Sequence, residues 1–497
     1  MKLRFLILFI AFIAVFIIGC QEKTATVAPN IIYILADDMG YGDVKALNAN
    51  SKIPTPNLDQ LAKEGITFTD AHSNSAVCTP TRYGTLTGQY SFRSRLKSGV
   101  LVGHEPSLIE RHTPTVATLL KAADYQTACV GKWHLGLNWA KKDTSQPLFH
   151  GGNLWDIFHT ENVDYAARVS GGPCDLGFDY SFIIPASLDI APYVYLENDR
   201  PTAAVTRQVP FFKDESARGI WYRRGDVAED FDHTKVLQTI TQKAIDFITN
   251  SERSQPFFLY FPLTSPHTPW FPSEEFKGRS DAGVYGDFVA MTDDVLGQIM
   301  TTLEKAGIAD NTLLIFTSDN GASWLPAEIE EFEHRANGPY NGMKSDVWEG
   351  GHRVPMIARW PKAIKAGQKS DVLICSTDLM ATCAELSGQA TPETAVDSYS
   401  FLSALKGNPS NNKERVVVHH SVNGTFAIRK GDWKLIDAKG SGGWSLPEDK
   451  CPEAPPQQLY NLETDKAETN NLYSEYSEIV KELNALLHPY KAGNEAK

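Results

Sequence analysis

The chain has 497 residues, 42% of them hydrophobic and 22% charged, which is enough apolar material for a large domain and a smaller one. Its formal charge of -13 argues against a nucleic acid partner, because phosphate backbones select basic faces. An anionic substrate would have to be drawn by a few cationic groups and a metal inside a pocket, not by the surface as a whole.

The first twenty residues are a targeting segment. Lys2 and Arg4 precede an unbroken apolar run, Phe5 to Ile18, which is shorter than the roughly 20 residues a spanning helix needs. The run ends in Ile17-Ile18-Gly19-Cys20, which resembles the lipobox of bacterial lipoproteins. That resemblance implies cleavage before Cys20, lipidation of its thiol and new amine, and an exported protein held at the cell envelope through a lipid anchor in the membrane. Residues 21–28 have no apolar period and read as a tether. Beyond Cys20 the cysteines are Cys78, Cys129, Cys174, Cys375, Cys383 and Cys451. They show no C-x-x-C pair and no dense spacing, so neither a zinc site nor a disulfide scaffold is indicated.

Short apolar runs rich in branched residues then alternate with longer amphipathic stretches, the pattern of βαβ units around a mainly parallel sheet. The predicted strands are 30–36 (N-I-I-Y-I-L-A), 126–131, 256–261 and 312–318; the predicted helices are 58–64, 116–123, 235–249 and 287–305. Residues 143–230 mix Gly, Pro and aromatics and read as insertions lying over the sheet. After about residue 401 the texture changes. Segments 416–420, 424–429 and 433–436 predict antiparallel strands, with Lys430-Gly431-Asp432 as a turn, and a helix over 474–487 closes the chain. The expected organisation is therefore a large α/β domain over 29–400, with a central mixed, mainly parallel sheet flanked by helices, and a small α+β domain over 401–490 with an antiparallel sheet.

Chemistry-bearing residues gather where the strands end. The first strand runs into Asp37-Asp38, the second into Lys132-Trp133-His134, the third toward His267, and the fourth into Asp319-Asn320. In open α/β sheets ligands bind outside the carboxyl ends of the strands. Three carboxylates and an amide, all oxygen ligands, suit a hard cation such as calcium or magnesium. Taken singly, an Asp-Asp pair is more often a helix cap, a lone histidine is more often structural, and Lys132 and Lys344 would be solvated surface lysines. The Gly-rich settings G-K-W-H-L-G and N-G-M-K point instead to close backbone approach. Trp139, Trp324 and Trp348 offer area for a sugar platform, although core packing is the commoner use of such residues.

Residues 73–90 contain Cys78-Thr79-Pro80-Thr81-Arg82 and then Leu86-Thr87-Gly88. Pro80 suits the first turn of a helix with Cys78 near its cap, and Arg82 falls four residues on, over the same face. A helix start offers free N–H groups to an anion. On these grounds Cys78 is open to being a small buried hydrophobe or a thiolate nucleophile.

The segment C-T-P-T-R resembles the sulfatase signature C-x-P-x-R, with Thr81 where Ser or Ala is usual. A-D-D-M-G-Y-G-D, G-K-W-H-L-G, P-H-T-P, S-D-N-G and N-G-M-K-S-D-V-W-E-G-G-H-R-V-P follow the order of that family, and the resemblance spans about residues 30–472. It implies an alkaline-phosphatase-like fold, a sulfuric ester hydrolase, and a formylglycine made from Cys78 by a formylglycine-generating or sulfatase-maturing enzyme. By the same resemblance Asp37, Asp38, Asp319 and Asn320 bind calcium together with residue 78. Arg82 holds the formylglycine hydrate, Lys132 binds a sulfate oxygen, and His134 takes a proton from the hydroxyl of residue 78. His267 and Lys344 contact the bridging oxygen, with His267 as proton donor. The stretch G-F-D-Y-S-F-I-I-P-A-S-L-D-I-A-P-Y-V-Y resembles bacterial relatives of arylsulfatase A and the N-acetylgalactosamine-6-sulfatases, which implies a sulfated glycan as substrate. Two other readings stand beside it: a phosphate ester hydrolase of the same superfamily, and a glycan-binding lipoprotein with unmodified Cys78.

Overall fold

The computed structural model describes residues 28–149, 162–408 and 414–492. Cys20 and the expected leader lie outside the described residues, as does the expected tether apart from Ala28. Ten strands form one mixed sheet, labelled here in chain order: β1 (Asn30–Asp37), β2 (Ile66–Phe68), β3 (Gln126–Lys132), β4 (Tyr180–Ile184), β5 (Leu196–Glu197), β6 (Arg200–Pro201), β7 (Phe257–Pro266), β8 (Thr312–Ser318), β9 (Met356–Arg359) and β10 (Gln368–Ser370). Their order across the sheet is β10-β2-β9-β8-β1-β7-β3-β4-β5-β6. The middle is parallel: β1 pairs with β8 (Ile31 opposite Leu313) and with β7, β7 with β3, and β3 with β4. Antiparallel pairs flank it, β8 with β9 on one side and β4 with β5 on the other.

The central strands are buried on both faces, which is why they read as continuous apolar runs and not as alternation. The helices α1 (Pro56–Glu64), α4 (Val236–Asn250) and α5 (Gly283–Lys305) form one covering layer, while α2 (Cys78–Thr87), α3 (Val116–Ala122) and α6 (Leu379–Ser387) form the other. Four strands, β11 (Val416–His420), β12 (Phe426–Lys430), β13 (Trp433–Ile436) and β14 (Gln458–Asn461), make an antiparallel meander backed by α7 (Ser477–Lys491). Val418, Ile428, Leu435 and Leu459 share a buried core there with Leu483 and Leu487 of α7, and Tyr90 and Phe92 reach into it from the large domain.

Three sequence expectations need correction. Residues 143–230 are not only an insertion over the sheet: β4, β5 and β6 extend the sheet itself, the first as a parallel strand beside β3. Their short runs carried too little branched apolar character to stand out from the surrounding Gly and Pro. Strand β7 continues to Pro266, through prolines that argue against a central strand, and a register irregularity opposite 35–37 of β1 accommodates them. Strand β14 is a fourth member of the small sheet that polar Gln458 and Asn461 concealed.

Candidate active site

Because β1, β3, β7 and β8 run parallel, they deliver Asp37, Lys132, His267 and Asp319 to one edge. Asp38 follows in the left-handed region at φ 68, which turns its carboxylate back beside Asp319, and its own N–H donates to Asp319 Oδ1 at 3.2 Å. Gly131 has φ 124, and a Cβ there would sit 1.9 Å from the Pro262 carbonyl oxygen, so only glycine lets β3 lie this close to β7 just before Lys132. Helix α2 begins at Cys78 with Val77 as its cap residue and Pro80 in its first turn. Its Thr79 hydroxyl donates to the His134 carbonyl at 3.0 Å and accepts from the Leu101 N–H at 3.2 Å, so the nucleophile helix and the His134 loop are fastened together.

The expected residues assemble, and all are buried. Lys132 Nζ donates to both Asp37 oxygens at 2.9 and 2.7 Å. Lys344 Nζ donates to Asp38 Oδ2 at 2.7 Å, and Asn320 Nδ2 to Asp38 Oδ1, also at 2.7 Å. Arg82 is fully buried; its Nε and Nη2 donate to Asp319 Oδ2 at 3.1 and 2.6 Å, and its Nη1 donates to the Lys132 carbonyl at 2.9 Å. Here Arg82 orients a carboxylate, a contact that sequence spacing alone did not suggest.

Ligand atoms of Asp37, Cys78 and Asp319 lie within 4.8 Å of one another, as do those of Asp37, Asp38 and His267. Asn320 Oδ1 is buried and has no hydrogen-bond partner. Burial and the neighbouring Asp37 carboxylate push Asp319 well above the usual carboxylate range. Burial acts the same way on Asp37, but Lys132, His267 and Arg82 outweigh it and hold that group low. A crowded acidic cluster with an orphaned amide oxygen fits a hard divalent cation in its oxygen set.

His134 is neutral, because burial together with Lys132 and Arg82 pulls it well below the usual imidazole value. Its Nε2 lies 2.8 Å from the Leu101 carbonyl and must carry the proton, which leaves Nδ1 as a buried lone pair with no partner. His267 Nδ1 lies 2.5 Å from the Thr268 carbonyl and 3.2 Å from Ser187 Oγ, while its Nε2 faces Asp38 Oδ2 at 3.7 Å. Burial pushes the Cys78 thiol up despite Lys132 and Lys344, so an activated thiolate is disfavoured.

Cys78, His134, His267 and Lys344 open into a cavity of about 580 Å³. Sequence reasoning missed its outer wall. Asp189, Arg218, Trp221 and Arg223 come from the region read as insertions, and Asn423 and Trp444 come from loops of the small sheet. Arg223 Nη1 donates to Asp189 Oδ2 at 2.5 Å, and the Trp221 ring lies 4.9 Å from the Arg223 guanidinium. Trp139, Trp324 and Trp348, considered for a sugar platform, are buried and donate their indole N–H to protein acceptors. His352 and Arg353 do not line the cavity; they brace the loop after Lys344 through Glu349, Asp70 and Lys434.

The sulfatase family model matches residues 29–389, and the model for the C-terminal part of N-sulphoglucosamine sulphohydrolase matches 343–492. The N-acetylgalactosamine-6-O-sulfatase of Bacteroides thetaiotaomicron is 34% identical, over 95% of this chain and 96% of its own length. Steryl-sulfatase of Homo sapiens is 32% identical, over 84% of this chain and 76% of its own. A solved Bacteroides thetaiotaomicron structure, described under the metabolism of multiple glycosaminoglycans, matches with a TM-score of 0.81 at 32% identity and covers 94% of this chain and 100% of that one. A motif-bearing sheet edge, an α/β fold of this order, a family model over most of the chain and a bacterial sulfatase matched along nearly its whole length lead to one conclusion: the chain belongs to the sulfatase family and is a sulfuric ester hydrolase.

Proposed function

We propose that this enzyme removes sulfate from a 6-O-sulfated amino sugar of the N-acetylgalactosamine class, with formylglycine derived from Cys78 as nucleophile and calcium held by Asp37, Asp38, Asp319 and Asn320. The observation that carries this reading is the partnerless Nδ1 of neutral His134 in the same cavity as Cys78 at the start of α2. The substrate class rests on the names of the N-acetylgalactosamine-6-sulfatases among the relatives. A hydrated aldehyde at residue 78 supplies a hydroxyl nucleophile that a buried thiol does not. The cation, where bound, neutralises part of the negative charge that grows on the sulfate oxygens.

The chain's own groups supply the rest. Lys132 and Lys344, each anchored on an aspartate, meet the sulfate oxygens as preorganised cations, with no reorganisation needed during the reaction. Arg82 fixes the orientation of Asp319. His134 Nδ1 accepts the proton from residue 78, because its other nitrogen is committed to Leu101. His267 Nε2 and Lys344 Nζ both approach Asp38 Oδ2 and hold a proton where the leaving alcohol departs. The anionic ester favours protonation of His267, against the burial and the Lys344 charge that lower its proton affinity.

Cys78 is only 3% exposed, which supports conversion by a maturing enzyme before folding closes over it. Among the described residues no helix is long and apolar enough to cross a membrane, and we infer attachment through lipidated Cys20 of an exported protein. We also infer a catalytic domain over 29–400 and a small domain over 401–490. The test is release of inorganic sulfate from N-acetylgalactosamine 6-sulfate by the matured enzyme, measured beside release of phosphate from the corresponding phosphate ester. Sulfate release should dominate; preference for phosphate, or no release of either, would overturn the reading.

A further inference from the structure

Among the described residues four large hydrophobic side chains are markedly exposed: Phe211 at 57%, Trp444 at 52%, Tyr399 at 46% and Tyr476 at 43%. Tyr399 has the Arg415 guanidinium 5.1 Å over its ring, and Tyr476 packs against Trp433 at 5.1 Å. Of the four, Trp444 alone lines the catalytic cavity, and its ring has no aromatic or cation–π partner among the described residues. Exposing an indole costs solvation that a protein normally avoids, and such a side chain beside polar groups in a cavity is the usual form of an apolar ligand contact.

The exposed ring stands on a rigid base. The Trp444 N–H donates to Ser345 Oγ at 3.0 Å, and the Ser445 N–H donates to Asp346 Oδ1 at 3.1 Å. A Cβ at Gly443 would lie 2.5 Å from both Asp346 Oδ1 and the Ser345 carbonyl oxygen, so glycine lets this loop rest directly on the Lys344–Asp346 segment. Ser345, itself in the left-handed region at φ 84, donates its N–H to the Ala76 carbonyl at 2.8 Å and accepts from the Val422 N–H at 3.0 Å. The segment beside Lys344 thus ties together the approach to Cys78, the Val422–Asn423 loop and the Trp444 loop.

We propose that Trp444, with Asn423 beside the same cavity, is the sugar platform of this enzyme: its indole face stacks on the apolar face of a pyranose ring whose sulfate reaches Lys132 and Lys344. This rests on the carbohydrate-sulfatase reading above. It gives the small domain a direct part in substrate selection, through a residue that contacts the sugar and not the sulfate.

The test compares Trp444→Ala and Trp444→Phe with the wild-type matured enzyme on N-acetylgalactosamine 6-sulfate, with inorganic sulfate as a competitive inhibitor. Trp444→Ala should raise KM roughly tenfold with kcat within about twofold of wild type, and Trp444→Phe should recover most of the loss. Inhibition by inorganic sulfate, which needs only the base of the cavity, should be unchanged in both. An unaltered KM in Trp444→Ala would overturn the platform while leaving the enzymatic reading intact. Parallel loss of kcat and of sulfate inhibition would also overturn it, and would make the loop a support for Lys344. A wild-type enzyme that turns over no carbohydrate sulfate would overturn both.

Discussion

Two buried clusters of charge in this molecule look alike in composition and differ in what they leave unfinished. One is the cavity cluster of Asp37, Asp38, Asp319, Arg82, Lys132 and Lys344. The other lies where the large domain meets the small sheet and joins Asp70, Glu349 and Glu468 to Arg353, Arg429 and Lys434 around His72, His352 and His419. Its three histidines come close enough to hold a metal by distance alone. Yet Arg429 Nη1 sits 3.1 Å from His72 Nε2 and Lys434 Nζ sits 3.0 Å from His352 Nε2, so cations of the protein already occupy those nitrogens. The His352 and His419 rings stack at 3.6 Å. His419 Nε2 is left without a hydrogen-bond partner there, but it lines no part of the cavity. In the cavity cluster Asn320 Oδ1 is partnerless among the carboxylates, and the partnerless Nδ1 of His134 belongs to a residue that lines the cavity. Buried charge by itself therefore marks a structural joint as readily as a reactive centre; what separates them here is a lone pair left free beside a cavity.

The sharpest way to break this comparison is to delete the nucleophile. Cys78→Ala should lower kcat/KM by at least about 10³-fold with little change in thermal midpoint, because the side chain is small and its removal leaves no buried charge unpaired. Cys78→Ser in a host that converts only cysteine should lose most activity as well, and full retained activity would refute the assignment.

The joint should fail in the opposite way. Lys434→Met strips the cation from Glu349 and Glu468 and should cost about 3 kcal/mol of stability, read as a lower denaturation midpoint, while kcat/KM of the folded fraction stays near wild type. Loss of activity without loss of stability would place this cluster in the catalytic machinery.

A smaller effect tests the cation. Asn320→Ala removes the orphaned oxygen and should raise the calcium concentration for half-maximal activity by about tenfold or more, with excess calcium restoring most of the rate. Chelation should silence the wild-type enzyme reversibly, and activity indifferent to chelator would remove calcium from the account.

The smallest effect concerns pH. Burial and neighbouring Glu349 push Glu468 up to about 7, against the pull of Lys434. Its folded value lies above the unfolded one, so its stabilising contribution is complete below about pH 4.3 and is lost as pH rises through about 7. Glu468→Gln keeps the shape without ionising, so its midpoint should gain on wild type as pH rises from about 4.3 to about 7 and level off above that. A constant offset across that range would contradict the raised proton affinity of Glu468.

The sequence exposed what strand and motif order control and hid what loops decide. Strands 30–36, 126–131 and 312–318 stood out because parallel strands buried on both faces must be apolar throughout, and their ends then named Asp37, Lys132 and Asp319. Cys78 and Arg82 were legible because Pro80 fixes a helix start between them. The outer wall was not legible. Asp189 and Arg223 meet across a region whose strands are short, and Trp444 reaches the cavity only because Gly443 lets its loop lie on Ser345. Nothing in local periodicity distinguishes that tryptophan from Trp139 or Trp348, which are packed in cores.

The central claim is that residue 78 acts as formylglycine and not as a thiol. Mass spectrometry of the peptide spanning residue 78, from protein coexpressed with a formylglycine-generating enzyme, tests it most directly when sulfate release is measured on the same sample. The account predicts a mass below that of cysteine by the thiol-to-aldehyde difference, with sulfate release rising in proportion to the converted fraction. Unmodified Cys78 in a preparation that releases sulfate at full rate would contradict it.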